Sequence, residues 1–195
     1  MLGGGTFLTQ NKVLNGTYIN FVSAARASAT LSDRGVVALP IALNWGKEGE
    51  VFTITSEDFQ KNSMKILGYD YSANELMPFR EIFLNAVKVH VYNLNNGGVK
   101  ATASLATAKY AGTRGNNLKY VVTANVDDSS KYDVVLYMES TKVDSQTVAT
   151  SAELVDNDYV VYNKEAQISL TAGTPLTGGT NGSELSVKII RFQLI

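Results

Sequence analysis

An α+β fold is predicted for this sequence. It comprises an N-terminal extended arm, a small α+β unit of two helices with a few strands, and an all-β antiparallel domain of sandwich or barrel-like form. Three observations carry the prediction. Helical signals, meaning capping residues followed by apolar residues at three- and four-residue spacing, occur only in the first half of the 195 residues. The second half alternates strand-like runs with turn residues at the spacing of a small antiparallel domain. Near the start stand three consecutive glycines, Gly3, Gly4 and Gly5, each of which loses much backbone freedom on ordering. The predicted boundaries are an arm at 1–22, the α+β unit at 23–97, the β domain at 98–175, and a glycine-rich linker with a short C-terminal tail at 176–195.

The elements follow in order. In the arm, Thr17-Tyr18-Ile19-Asn20-Phe21-Val22 is a weakly β-prone stretch with too few apolar residues to cover a core alone. It reads either as a frayed first strand or as a strand that pairs with another subunit. Residues 23–35 are small and polar and read as a turn-rich lead-in. Val36 to Leu43 is an apolar run of strand length without alternation, which suggests cover on both faces, while Pro40 moves it to an edge or a bulge. Asn44 to Glu50 is a turn holding Trp45, and Val51 to Thr55 is a strand. Ser56 is read as the N-cap of a first helix, with Glu57 and Asp58 in its first turn and Gly68 as its stop. Ser72-Ala73-Asn74-Glu75 has capping-box spacing for a second helix, although Pro78 places its first full turn near Met77. Val87 to Leu94 alternates cleanly, with Val87, Val89 and Val91 on one face and Lys88, His90 and Tyr92 on the other. The β domain offers strands at 99–106, 118–124, 132–139, 141–149 and 158–162, with turns at 112–117 and 127–130.

Composition removes several functions. The formal net charge is −1, so no long-range field draws the chain to nucleic acid or an anionic membrane. With no Cys and a single His, His90, thiolate chemistry, Cys-bound zinc and multi-His metal sites are excluded. No stretch approaches the roughly 20 apolar residues of a spanning helix. The opening lacks the basic and apolar blocks of a secretory signal, so the expectation is synthesis in a cytoplasm. Gly112-Thr113-Arg114-Gly115 and Gly178-Gly179-Thr180-Asn181-Gly182 precede no helix, as a phosphate cradle requires. Asp127, Asp128 and Asp133, or Asp156 and Asp158, lack calcium-loop spacing and read as turn chemistry. His90 has no partnered nucleophile motif beside it. No catalytic residue, cofactor or metal ligand is predicted.

Several strings nevertheless carry a resemblance. Met1-Leu2-Gly3-Gly4-Gly5-Thr6-Phe7 and Val13-Leu14-Asn15-Gly16-Thr17-Tyr18-Ile19-Asn20-Phe21 resemble the start of contractile phage tail sheath proteins, as found in Gram-positive phages, defective prophages and phage-tail-like bacteriocins. The likeness continues through Asp33-Arg34-Gly35-Val36-Val37, Leu43-Asn44-Trp45-Gly46, Phe52-Thr53-Ile54-Thr55-Ser56, Ala108 to Asn116 and Leu176-Thr177-Gly178-Gly179-Thr180. Asn15 stands where the family commonly has Pro. The resemblance implies a non-enzymatic virion subunit that assembles with itself. Hexameric rings stack helically around a tail tube protein and contract to drive the tube through a target envelope. It also implies strand donation to neighbouring subunits by Gly3, Gly4, Gly5, Thr17, Tyr18, Ile19, Asn20, Phe21 and Val22. Residues 99–175 correspond to the family's inserted outer domain, and family members continue well beyond the position of Ile195. The alternative is a binding module whose β domain recognises a host surface or another tail protein. No nucleic acid or inserted membrane is implied as a partner.

Overall fold

The computed structural model describes residues 35–185. The predicted strand-donating residues, Gly3 to Gly5 and Thr17 to Val22, lie outside the described residues.

Two cores are built. The first rests on a three-stranded sheet of β1 (Val36–Ile41), β2 (Val51–Thr55) and β3 (Lys88–Asn93), in the order β1-β3-β2. Strand β1 runs parallel to β3, and β2 runs antiparallel to it. The β1 run therefore takes the edge position that Pro40 suggests. A central strand would lose a ladder donor at that residue. Ile54, Val89 and Val91 point inward and are buried against Phe59 and Leu67 of α1 (Ser56–Leu67), against Leu76, and against Phe79 of α2 (Met77–Phe83). Phe59 stacks on Phe79 and Phe83 at centroid distances of 5.9 and 5.0 Å. The opposite sheet face leaves Val36, Ala38, Val51, Thr53 and Lys88 exposed.

The first helix starts one residue from expectation, and the second starts at Met77, where Pro78 places its first full turn. Thr55, not Ser56, is the N-cap of α1. Its hydroxyl accepts from Asp58 N at 3.1 Å, and Asp58 Oδ2 accepts from Thr55 N at 3.4 Å and from Thr55 Oγ1 at 2.7 Å. Thr55 closes β2 in extended geometry (φ −89°, ψ 163°), which an N-cap requires, so the strand ends directly in the cap. Gly68 ends the helix at φ 82°, as expected. The Ser72 capping box does not form. Ser72 instead donates to Asp70 in a local turn, a 3-10 turn covers Asn74–Leu76, and α2 begins at Met77 with Pro78 in its first turn. Val87 is also displaced from the core. It precedes β3, donates its N–H to Gly35 O, and is 50% exposed.

The second core belongs to a four-stranded antiparallel sheet of β6 (Leu118–Ala124), β7 (Tyr132–Met138), β8 (Thr141–Val148) and β10 (Thr171–Pro175), in the order β10-β6-β7-β8. Leu118, Tyr120, Val122, Val134, Leu136 and Met138 alternate inward along β6 and β7. They pack with Leu105, with Ala106 and Ala108 from β5 (Ala106–Ala108), and with Val160 and Tyr162 from β9 (Val160–Tyr162), which pairs antiparallel with β5. The sheet ends on β10 and β8 and does not close, so the barrel-like alternative is not realised among the described residues. The strand expected over 99–106 is reduced to isolated bridges at Val99 and Thr102. Strand β10 was not anticipated, because Thr171-Ala172-Gly173-Thr174-Pro175 lacks a β-branched apolar alternation.

A narrow ribbon connects the two cores. β4 (Asn95–Asn96) pairs with β11 (Ser183–Glu184), Val99 bridges Thr180, and Thr102 bridges Thr177. The glycine-rich stretch 176–184 thus lies antiparallel to 95–102.

Candidate functional site

The described surface is organised by sheet edges and by the joint between the cores. Strands β1 and β2 each have one neighbour, β3, so the outer edge of each is unpaired among the described residues. Pro40 removes a donor from β1. Strand β2, Val-Phe-Thr-Ile-Thr, holds neither Pro nor Gly and keeps every amide. An open cleft of about 390 Å³ lies along it, walled by Val51, Thr53, Lys47, Lys65, Tyr110 and Asp158. An uncovered run of amides and carbonyls is a template for another strand.

The β8 edge is treated differently. Gln146 Nε2 donates to Val155 O at 2.8 Å, and Gln146 Oε1 accepts from Val155 N at 2.8 Å. Asn157 Nδ2 donates to Asp144 Oδ2 at 2.7 Å. These bonds hold the 154–157 loop beside β8. A register shift between Leu136 and Tyr137 further breaks the pairing of β7 with β8.

The joint is built around Trp45 and Arg114. Trp45 comes from the turn after β1, yet it is fully buried in the second core. Its Nε1 donates to Lys65 O at 3.1 Å and its ring meets Tyr110 edge-on at 5.3 Å. Arg114 is 7% exposed. Its Nε donates to Gly68 O at 2.7 Å, its Nη1 pairs with Glu139, and its guanidinium lies 4.2 Å from the Tyr69 ring centroid. A buried guanidinium needs this many partners to offset its desolvation. Gly112 has φ 131°, and a Cβ there would sit 1.9 Å from Asn44 O, so only glycine allows the loop to approach the turn. Arg114 N then donates to Asn44 O, while Asn181 Nδ2 donates to Asn44 Oδ1 at 3.0 Å and Asn181 Oδ1 accepts from Thr113 N at 2.8 Å. Asp158 adds ion pairs to Lys65 on α1 and Lys109 on the β domain, at 3.4 and 3.7 Å.

The glycine string around Arg114, rejected as a phosphate cradle, is therefore the contact loop of the joint. Its signal in the sequence is an arginine flanked by Gly112 and Gly115. That Asn44, Trp45 and Asn181 converge on it was not visible. His90 lies on the exposed sheet face with Nδ1 2.8 Å from Thr53 Oγ1. Asp127 and Asp128 sit in the β6–β7 turn. Asp128 accepts from Ser130 N and Oγ, which, with Lys131, lowers its pKa from the ordinary 3.8 to about 2. The described residues contain no group of three His, Cys, Asp or Glu side chains placed to hold a metal. No described helix is long and apolar enough to cross a membrane.

Sheet edges without a partner among the described residues and a tightly bonded joint fit a structural protein. Comparison with known proteins agrees. Residues 34–94 match the tail sheath protein Gp18 domain III N-terminal region, and residues 96–181 match the phage tail sheath protein beta-sandwich domain. The chain belongs to the phage tail sheath family. It is 39% identical over 184 residues to the phage-like element PBSX protein XkdK of Bacillus subtilis, covering 91% of this chain and 38% of that protein. Crystal structures of two sheath tail proteins are similar. The one from Desulfitobacterium hafniense has 34% identity and a TM-score of 0.73, covering 91% of this chain and 42% of that one. The one from Listeria innocua has 37% identity and a TM-score of 0.72, covering 82% and 37%. The chain spans 38% of the length of the curated relatives it matches.

Proposed function

We propose that this chain is the N-terminal portion of a contractile tail sheath subunit. It assembles with itself into hexameric rings stacked around a tail tube protein, and the array contracts to drive the tube through a target envelope. It does no covalent chemistry and works within a virion or phage-tail-like particle. Residues 1–22 form the donor arm, 23–97 the core portion, 98–175 the outer domain and 176–195 the return segment and tail. Gly3, Gly4 and Gly5 give the arm its freedom, and Thr17 to Val22 supply the added strand.

The observation that carries this reading is the three-stranded sheet with both outer strands unpaired among the described residues. Strand β2 is the better acceptor because it keeps all its amides. The contrast with β8, whose edge is held by Gln146 and Asn157, supports the choice. Light scattering across concentration, with negative-stain microscopy of the same sample, tests the proposal. Rings, tubes or concentration-dependent polymers are expected with the tail tube protein present, and deletion of residues 1–22 abolishes them. A chain that stays monomeric with and without the tube protein refutes assembly by this portion.

A second reading, a binding module, is favoured by one feature of the β domain. Lys119 and Lys142 both oppose Tyr137 across the sheet, with Lys119 Nζ 5.7 Å from its ring centroid. A monomer that binds purified cell wall through these residues would support it.

A further inference from the structure

We propose that Asn96 is a site of self-modification. Its side-chain amide is lost to attack by the main-chain nitrogen of Gly97, which leaves aspartate or isoaspartate in the ribbon between the two cores. The Gly97 nitrogen gives its proton to hydroxide and bonds to Cγ of Asn96. The Cγ–Nδ2 bond breaks, and the nitrogen leaves as ammonia with a proton taken from water. The product is a five-membered succinimide. Water then adds to one of its two carbonyls and breaks that carbonyl's bond to Gly97 N. Opening at Cγ gives aspartate, and opening at the Asn96 main-chain carbonyl gives isoaspartate. Water is the co-reactant, ammonia is the leaving group, and no group is oxidised. A following glycine favours the attack because no Cβ hinders the nitrogen.

The described residues hold two Asn-Gly pairs, Asn96-Gly97 and Asn181-Gly182, and the fold treats them oppositely. Both glycines have positive φ, 69° and 72°. Asn96 and Gly97 are exposed, and a Cβ at Gly97 would meet nothing within 4 Å. Strand β4 ends at Asn96, so Gly97 lies beyond its ladder. Among the described residues no hydrogen bond holds the Asn96 side chain or uses the Gly97 N–H. Cγ of Asn96 is thus free to swing onto the nitrogen. The Asn181 side chain is not free. Its Nδ2 donates to Asn44 Oδ1 at 3.0 Å, and its Oδ1 accepts from Thr113 N at 2.8 Å and from Thr113 Oγ1 at 3.2 Å. A Cβ at Gly182 would lie 2.2 Å from Asn96 O, so that turn is pressed onto the ribbon. Ring closure at Asn181 has to break these bonds first. The position of the reactive pair gives the product a consequence. Isoaspartate adds one carbon to the main chain at 96, and Asn96 with Ser183 is one of the two residue pairs that join β4 to β11. The ribbon between the cores then loses its register.

The full chain, aged in mildly alkaline buffer and mapped with trypsin and mass spectrometry, tests this. Asn96 falls in the tryptic peptide 89–100 and Asn181 in 165–188, and fragmentation separates Asn96 from Asn93 and Asn95. Conversion of amide to acid, in paired aspartate and isoaspartate forms, is expected to run about 10-fold or more faster at Asn96 than at Asn181, because three hydrogen bonds guard the second site. In guanidinium chloride neither side chain is held, and the two rates are expected to converge. A rate at Asn96 no greater than at Asn181 in the folded chain overturns the proposal. So does a ratio that persists in the denaturant, since sequence and not the fold would then set it. Thermal melts of the aged chain read the consequence. Its Tm is expected to fall by about 2–4 °C. Asn96→Gln aged alongside is expected to keep its Tm, because the longer side chain closes its ring far more slowly. An equal fall in both proteins places the damage elsewhere and overturns the role given to the ribbon.

Discussion

Arg114 concentrates the chemistry of the joint in one side chain. It serves Gly68 O, Glu139 and the Tyr69 ring at once, and so ties the end of α1 to the end of β7. The Arg114→Met substitution keeps the length but leaves Gly68 O without its donor. It is expected to cost about 1–3 kcal/mol in denaturant unfolding, the range for stranding a buried acceptor. Glu139→Gln is expected to cost well under half of that, because Glu139 is half exposed and screened. Asp128 gives a pH prediction of known sign. Hydrogen bonds from Ser130, with Lys131, lower its pKa from 3.8 to about 2. A depressed carboxyl stabilises the fold above its unfolded pKa and loses that contribution as pH falls through the folded one. Between 3.8 and about 2, Asp128→Asn should lose stability with falling pH less steeply than the parent chain, measured as Tm against pH. The turn role of Asp128 was legible, since Asp-Asp-Ser-Ser is a turn signature. The role of Arg114 was not, because its partners Gly68 and Glu139 are distant in sequence.

Among the elements, the helices show how a local signal can be right in kind and wrong by one residue. Thr55 and Ser56 are both good N-cap residue types, but only Thr55 has an acid, Asp58, three residues on. The extended geometry at the end of β2 selects Thr55. That bond also holds the Asp58 carboxyl below the usual range, chiefly through the Thr55 hydroxyl and then through Asn62. Thr55→Ala is expected to cost about 1 kcal/mol and Ser56→Ala a few tenths, read from thermal unfolding. Strands β6, β7 and β8 were legible almost to the residue, because alternation along a half-buried sheet leaves a period-two pattern. β4, β5, β10 and β11 are too short or too polar to leave one. Their positions come from pairing between segments distant along the chain, such as Glu184 of β11 with Asn95 of β4.

At the scale of the whole molecule, Trp45 makes the two cores interdependent. It leaves the first unit by way of a turn and fills the second core, while its Nε1 bonds back to Lys65 O on α1. Trp45→Ala is expected to cost about 3–5 kcal/mol, the range for emptying a buried aromatic site. It should also split a single unfolding transition into two, seen as non-coincident far-UV and tyrosine near-UV melts. Such a joint suits a subunit that has to pass force from one domain to another, as the proposed contraction requires.

The sequence by itself determined the class of fold, the order of helix-bearing and all-β portions, the absence of thiol and multi-His chemistry, and the likeness to tail sheath proteins. These depend on composition, periodicity and contiguous strings, which are local properties of the chain. Only the tertiary structure decided that β2 has a single neighbour among the described residues, that β8 is held by a loop, and that Trp45, Gly112, Arg114 and Asn181 meet. Asn44 and Asn181 are 137 residues apart in sequence, yet 3.0 Å separates their side-chain atoms. No period or spacing encodes a contact of that range. It arises because the chain leaves the first core and returns to it along the ribbon of β4 and β11, bringing distant polar groups to the same buried joint, where each must find a partner.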